Sequence, residues 1–135
     1  MNLDIGAVRP IEGDQVFLVG LCHSSAEPPF VLLYDATKAR RAKRNLRKKN
    51  PADVVAALGT DDFVRVDAPH WGTVWFRASS VREVCALPER YMATSSVKHG
   101  AFVLFGHDPE PPDRHAGFLL YGMAVEQVSM LLLDR

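Results

Sequence analysis

Short apolar segments separated by turn-forming residues recur along the chain. Three pairs of such segments are present: residues 15–21 with 30–34, 62–66 with 73–77, and 101–105 with 117–121. Segments rich in β-branched and aromatic residues and bounded by Gly, Pro, Asp and Ser are typical of β-strands, and two of them joined by a turn indicate an antiparallel hairpin. The pattern therefore predicts three β-hairpins.

Each predicted hairpin is followed by small residues and then by apolar residues at helical spacing. After the second hairpin, Ser80 and Glu83 have the spacing of a capping box. After the third, Val125, Val128 and Leu132 follow the i, i+3, i+7 pattern of a helix face. The pattern predicts three ββα-like units, although the segments after the second and third hairpins also fit the two-residue period of a strand.

Two helices are predicted between the first and second hairpins. Residues 36–49 are rich in Ala, Lys, Arg and Leu, which all favour helix. Residues 51–58 have stronger boundaries, because Asn50 can cap a helix, Pro51 suits its first position and Gly59 suits its exit. We therefore predict a single α+β domain over residues 1–135, in which antiparallel hairpins form a sheet with helices packed on one face.

Charge is distributed unevenly, although the net charge is zero. Eight of the sixteen basic residues lie within residues 38–49, and all sixteen Asp and Glu lie outside that segment. The segment therefore carries +8 and the rest of the chain 8 − 16 = −8. The cations of this basic segment, our candidate nucleic-acid-binding residues, are Lys38, Arg40, Arg41, Lys43, Arg44, Arg47, Lys48 and Lys49.

Three interpretations of the basic segment are open. It binds the phosphates of a nucleic acid, it binds an acidic protein partner, or it is a solvated surface balanced by the acidic remainder of the chain. The sequence has no zinc-finger spacing, RNP aromatic pattern or KH-type GXXG loop. Any nucleic-acid binding is therefore expected to use backbone contacts with little sequence readout.

Two predicted turns contain residues suited to interaction. The third hairpin turn combines histidines with carboxylates, which are metal-ligand types, but no known ligand spacing is present and we predict an interaction loop rather than a metal site. Trp71, at the tip of the second hairpin, either offers a surface for stacking or folds back over its own hairpin. The candidate residues of the third turn are His107, Asp108, Glu110, Asp113 and His115.

No catalytic or cofactor-binding motif is present. Cys22 precedes His23, but the sequence lacks GxSxG, Walker-type, HExxH and GxGxxG patterns. Neither an enzyme nor a cofactor is predicted. The two cysteines, Cys22 and Cys85, are interpreted as core residues in a reducing compartment, which predicts a cytoplasmic location, and no apolar run is long enough to span a membrane.

The charge distribution leads to our main functional hypothesis, a small non-catalytic binding protein that contacts a nucleic-acid backbone through its basic segment. The alternative is a protein-binding regulator or inhibitor that uses its acidic surface or hairpin loops, with an acidic or basic protein as its partner. An enzyme without a recognisable motif is the third hypothesis. The apolar C-terminal stretch, residues 130–133, is a candidate contact for a homo-oligomer.

Overall fold

The computed structural model describes residues 2–3, 11–24, 26–46, 49–86, 100–110 and 116–133. Within these ranges the chain forms strands and two α-helices, with short 3-10 turns before two of the strands. The strands are β1 (Asn2–Leu3), β2 (Ile11–Glu12), β3 (Val16–Cys22), β4 (Phe30–Asp35), β5 (Arg40–Asn45), β6 (Phe63–Ala68), β7 (Gly72–Arg77), β8 (Val81–Ala86), β9 (Gly100–Phe105) and β10 (Phe118–Tyr121). The helices are α1 (Pro51–Ala57) and α2 (Val125–Leu132).

The larger sheet contains five antiparallel strands in the order β5-β4-β3-β7-β6. Val19 at its centre lies opposite Val31 of β4 and Trp75 of β7. Because side chains alternate along a strand, Val74 and Phe76 face the side opposite to Trp75. All five of these side chains are buried, so the central strands are covered on both faces.

The smaller sheet contains three antiparallel strands in the order β10-β9-β8. Val103 and Phe105 of β9 join Val74 and Phe76 of the larger sheet in one buried cluster. The ring centroids of Phe76 and Phe105 are 6.1 Å apart. The two sheets therefore pack face to face around a shared apolar core, which confirms the α+β class.

The helices cover different parts of the larger sheet. In α1, the Asn50 side chain accepts a hydrogen bond from the Ala52 backbone N–H at 2.9 Å, and Val54 is buried in a second cluster with Val19 and Val31. In α2, Val128 enters the core between the two sheets. Neither helix of the described residues has the length and apolarity needed to cross a membrane.

The prediction that the helices pack on one face of a single sheet is wrong. The cluster beneath α1 contains Trp75, whereas the core that α2 enters contains Val74 and Phe76, which point to the opposite face. The physical reason is that the smaller sheet already covers much of the second face, so each helix buries its narrow apolar side where a gap remains.

The prediction of a helix over residues 36–49 is wrong for the described part of that segment. Residues 40–45 form β5, which pairs with β4 from Asp35 opposite Arg40 to Phe30 opposite Asn45. Helix propensities differ by only tenths of a kcal/mol between most residues. Pairing with β4 outweighs that preference, and it also moves Arg40 and Arg44 from about 6 Å apart in a helix to about 14 Å apart along a strand.

Local interactions in the turn between β4 and β5 favour a hairpin over a helix. The Asp35 carboxylate accepts hydrogen bonds from the backbone N–H groups of Thr37 at 3.0 Å and Lys38 at 3.3 Å. Ala39 then adopts a φ of 50°, in the left-handed region. A short acidic side chain at the first position of such a turn is a known turn-forming feature.

The three ββα-like units are not present as predicted. The second hairpin is followed by a 3-10 turn at Ala78–Ser80 and then by β8. Ser80 and Glu83 therefore form no capping box, and β8 instead pairs with β9 in the smaller sheet. The third hairpin alone, within the described residues, is followed by a helix, α2. The sequence after the second hairpin fits the period of a helix and that of a strand. It forms a strand because β9 is available as a pairing partner.

Replacing Ala39 with glycine distinguishes the turn from a helix. A non-glycine residue in the left-handed region is strained, so Ala39→Gly should raise the free energy of unfolding by about 0.5–1 kcal/mol. In a helix the same change would lower it by about 1 kcal/mol. Urea unfolding measures the difference. Ala36→Gly, in the same turn but without a positive φ, is the control and should give no stabilisation. A destabilised Ala39→Gly variant would contradict the β4–β5 turn.

Candidate nucleic-acid interface

Strand β5 forms one edge of the larger sheet and carries much of the basic segment. Alternation along the strand divides its side chains between two faces. Arg41 and Lys43 lie on the face directed at the smaller sheet, opposite Tyr34 and Leu32 of β4. Ala42 lies on the other face and packs against the cluster beneath α1. Both faces of β5 therefore carry side chains that pack against the rest of the protein.

Arg41 is an internal structural cation. Its Nη2 donates a hydrogen bond to Asp108 Oδ1 at 2.8 Å, and its Nη1 donates to the Gly117 carbonyl at 3.0 Å. The guanidinium also lies over the rings of Phe17 and Phe105, 5.3 and 5.4 Å from their centroids. Only 21% of the Arg41 side chain is exposed. Its charge is therefore engaged within the protein rather than presented to a ligand.

The Asp108 carboxylate is buried, with 2% of its side chain exposed. Besides Arg41, it accepts hydrogen bonds at Oδ2 from the backbone N–H of Phe105 at 2.8 Å and of Gly117 at 3.1 Å. Arg82 of β8 donates to the Asp108 backbone carbonyl at 2.8 Å. A buried charge is tolerated when it is paired and hydrogen-bonded in this way. Asp108 therefore links the end of β9, the start of β10 and the edge strand β5.

Gly117 is suited to this arrangement because it has no side chain. Its φ is 75°, and a Cβ atom there would collide with the ring of Phe102. Its N–H donates a hydrogen bond to Asp108, and its carbonyl accepts one from Arg41. Both backbone polar groups of Gly117 are therefore hydrogen-bonded to the same ion pair. A larger residue would displace that backbone and weaken both bonds.

His107 completes the cluster around the ion pair. Its ring stacks on Tyr34, with centroids 4.6 Å apart and 18° between the planes, and its Nε2 accepts a hydrogen bond from Arg41 Nε at 3.2 Å. Burial lowers the pKa of His107, and the charges of Arg41 and Arg82 lower it further, against an opposing effect of Asp108. Because an arginine Nε always donates, the neutral ring with an unprotonated Nε2 is the form that fits.

The remaining cations of the basic segment face solvent where they are described. Lys43 pairs with Glu27 at 2.9 Å, and Arg44 donates to the Lys43 carbonyl at 3.1 Å. Arg40 lies opposite Asp35. Within the described residues, the Asp35 carboxylate accepts hydrogen bonds from the backbone of the β4–β5 turn rather than from Arg40. Arg47 and Lys48 lie outside the described residues. The exposed cations are Lys38, Arg40, Lys43, Arg44 and Lys49.

The other sequence-predicted site residues are placed differently from one another. Trp71 folds back against Phe30 and Phe118, with ring centroids 5.8 and 5.3 Å away, so its ring is partly buried. Glu110 is exposed and lies 3.5 Å from Arg82, whereas Asp113 and His115 lie outside the described residues. Within the part of the chain that the structure describes, no three His, Cys, Asp or Glu side chains are grouped to hold a metal.

The cysteines are free and half-buried. Burial, together with the charge of Glu83, raises the pKa of the Cys85 thiol, which disfavours the reactive thiolate. Cys22 ends β3, and the backbone N–H of the adjacent His23 donates to the Trp71 carbonyl at 2.8 Å.

Sequence reasoning missed the parts of the site that come from distant segments. Tyr34 and Arg82 were not singled out, and Arg41 was grouped with the cations expected to bind a ligand. One signal was present for β5: Asp35 precedes a short polar stretch, which is typical of a hairpin turn and would have favoured a strand after it.

The burial of His107 makes stability depend on pH. The unfolded chain binds a proton on this residue near pH 6.5, whereas the folded protein has the lower pKa. The contribution of neutral His107 to the free energy of unfolding is therefore complete above about pH 6.5. It is lost as the pH falls below that value, because the unfolded chain then binds the proton more readily. The free energy of unfolding should decrease between about pH 7.5 and 5.5, and His107→Gln should reduce that decrease. The exposed His23→Gln variant should retain it. An unchanged pH dependence in His107→Gln would contradict this account.

The chain matches no protein-family model, and no curated protein and no solved structure is significantly similar to it. The interpretation of its function therefore depends on the geometry of the described residues.

Proposed function

We propose that the protein binds the sugar-phosphate backbone of a nucleic acid through the exposed cations of β5 and its flanking residues, with little sequence readout. The observation that carries this proposal is the concentration of exposed cations on the edge strand β5 and its flanking residues, namely Lys38, Arg40, Lys43, Arg44 and Lys49. Phosphate contacts of this kind supply most of the affinity of sequence-independent binding.

The geometry of β5 supports the proposal. Arg40 and Arg44 lie on the same face of a paired strand, about 14 Å apart, which is far enough for each to contact a different phosphate. The Arg41–Asp108 pair and the packing of Ala42 hold the strand in place. A positioned row of cations loses less conformational freedom on binding than a flexible basic tail does.

A role that needs no ligand would also place cations here. Charged side chains on an edge strand prevent it from pairing with strands of other molecules. That role requires charge on the strand but predicts no affinity for polyanions above that of other exposed cations. Arg65, on the opposite edge strand β6, is exposed as well and serves as the comparison.

A second candidate is a protein contact, including self-association, through the end of α2. Met130 is 67% exposed, and Leu131 and Leu133 beside it are 39% and 43% exposed. A group of exposed large apolar side chains is typical of an interaction surface. The absence of nucleic-acid binding at low salt would favour this candidate over the first.

Binding to a panel of single- and double-stranded DNA and RNA across a salt series tests the proposed function. The double variant Arg40→Gln/Arg44→Gln should bind more weakly, and its slope of log K against log salt should become shallower by about 1.4–1.8, because two phosphate contacts are lost. Arg65→Gln on β6 is the matched control and should leave the slope unchanged. Wild-type affinity in the double variant would overturn the proposal, as would an equal effect per charge from Arg65→Gln.

A further inference from the structure

A cleft lies between β5 and the segments that flank the β9–β10 connection. Its volume is about 530 Å³, and it opens beside the edge that carries the exposed cations. Leu32, Tyr34 and Ala42 line it from the larger sheet, and Pro109 and Ala116 line it from the opposite side. A cleft of this size is in the range of sites that hold small organic groups.

The wall of the cleft suits a flat apolar group. Tyr34 and His107 both line the cleft, and the Tyr34 ring is held in place by stacking on the ring of His107. Leu32 and Ala116 add aliphatic surface. A ring that is already fixed loses little freedom when another ring stacks beside it, which is why aromatic side chains are the common platforms for bases.

The cations at the cleft are of two kinds. Arg41 is neutralised by Asp108, so that pair adds no net charge to the wall. Arg40 and Lys43 also line the cleft, and both are exposed. Lys43 forms an ion pair with Glu27, and both side chains are partly exposed. A phosphate can therefore replace the Glu27 carboxylate as the partner of Lys43. The cleft therefore combines an apolar interior with positive charge at its mouth.

We propose that this cleft holds one unpaired base of a single-stranded nucleic acid, with a neighbouring phosphate on Lys43. The inference rests on the proposed function and adds a preference for single strands. A base within a duplex is stacked on both sides and paired, so it enters a protein pocket only after unpairing, whereas a base in a single strand is free to do so.

The direct test compares two single strands of equal length and equal phosphate number, an oligothymidylate and its abasic counterpart. The oligothymidylate should bind the wild-type protein about tenfold more tightly, the effect typical of one stacked base. Equal affinity for the two strands would overturn the inference while leaving backbone binding in place. Binding of neither strand at low salt would instead overturn the proposed function, and the inference with it.

A pair of variants locates the preference in the cleft. Leu32→Phe adds a ring to the cleft without changing charge, so it should remove the preference for the oligothymidylate and retain the affinity for the abasic strand. Leu21→Phe makes the same change on β3, at an exposed residue that does not line the cleft, and should keep the preference. A full preference in Leu32→Phe would place the base elsewhere and overturn the inference.

Discussion

The ion pair between Arg41 and Asp108 joins three parts of the chain that are far apart in sequence. Arg41 belongs to the edge strand of the larger sheet, and Asp108 and Gly117 belong to the two ends of the β9–β10 connection in the smaller sheet. Both charges are largely removed from solvent, so each depends on the other for compensation. Breaking the pair would leave a buried carboxylate with backbone donors alone, and the stacked His107 would lose its hydrogen-bonding partner. The position of β5, and with it the shape of the cleft, depends on this interaction.

The basic segment therefore contains cations with different roles. Arg41 compensates a buried carboxylate, whereas Arg40 and Arg44 extend into solvent from the same strand. Counting charge along the sequence treats all of them as equivalent and overstates the number available to a ligand. The structural cation also determines where the other cations lie, because it fixes the strand that carries them. A preformed edge with cations outside and a cleft behind it is the combination on which the proposed binding of a single strand rests.

The sequence was sufficient for features that depend on local interactions. Apolar runs located the strands of the hairpins, and α1 lies where Asn50 and Pro51 indicated a helix start. It was insufficient where a distant partner decides the conformation: β5 has helix-favouring residues, and only its pairing with β4 makes it a strand. The same limit applies to the site. Asp108 was noticed as a carboxylate in a proline-rich turn, but nothing local indicates that it points inward or that Arg41, among the eight cations of the basic segment, pairs with it.

A double-mutant cycle on the buried pair tests the central claim most directly. Arg41→Met, Asp108→Asn and the double variant would be compared with the wild-type protein by urea unfolding. If the two charges compensate each other, the double variant should be less destabilised than the sum of the single variants, by at least about 1.5 kcal/mol. The exposed pair that Lys43 of the same strand forms with Glu27 is the control cycle and should give a coupling below about 1 kcal/mol. Additive effects of Arg41→Met and Asp108→Asn, within about 0.5 kcal/mol, would contradict the claim that this pair holds the edge strand to the second sheet.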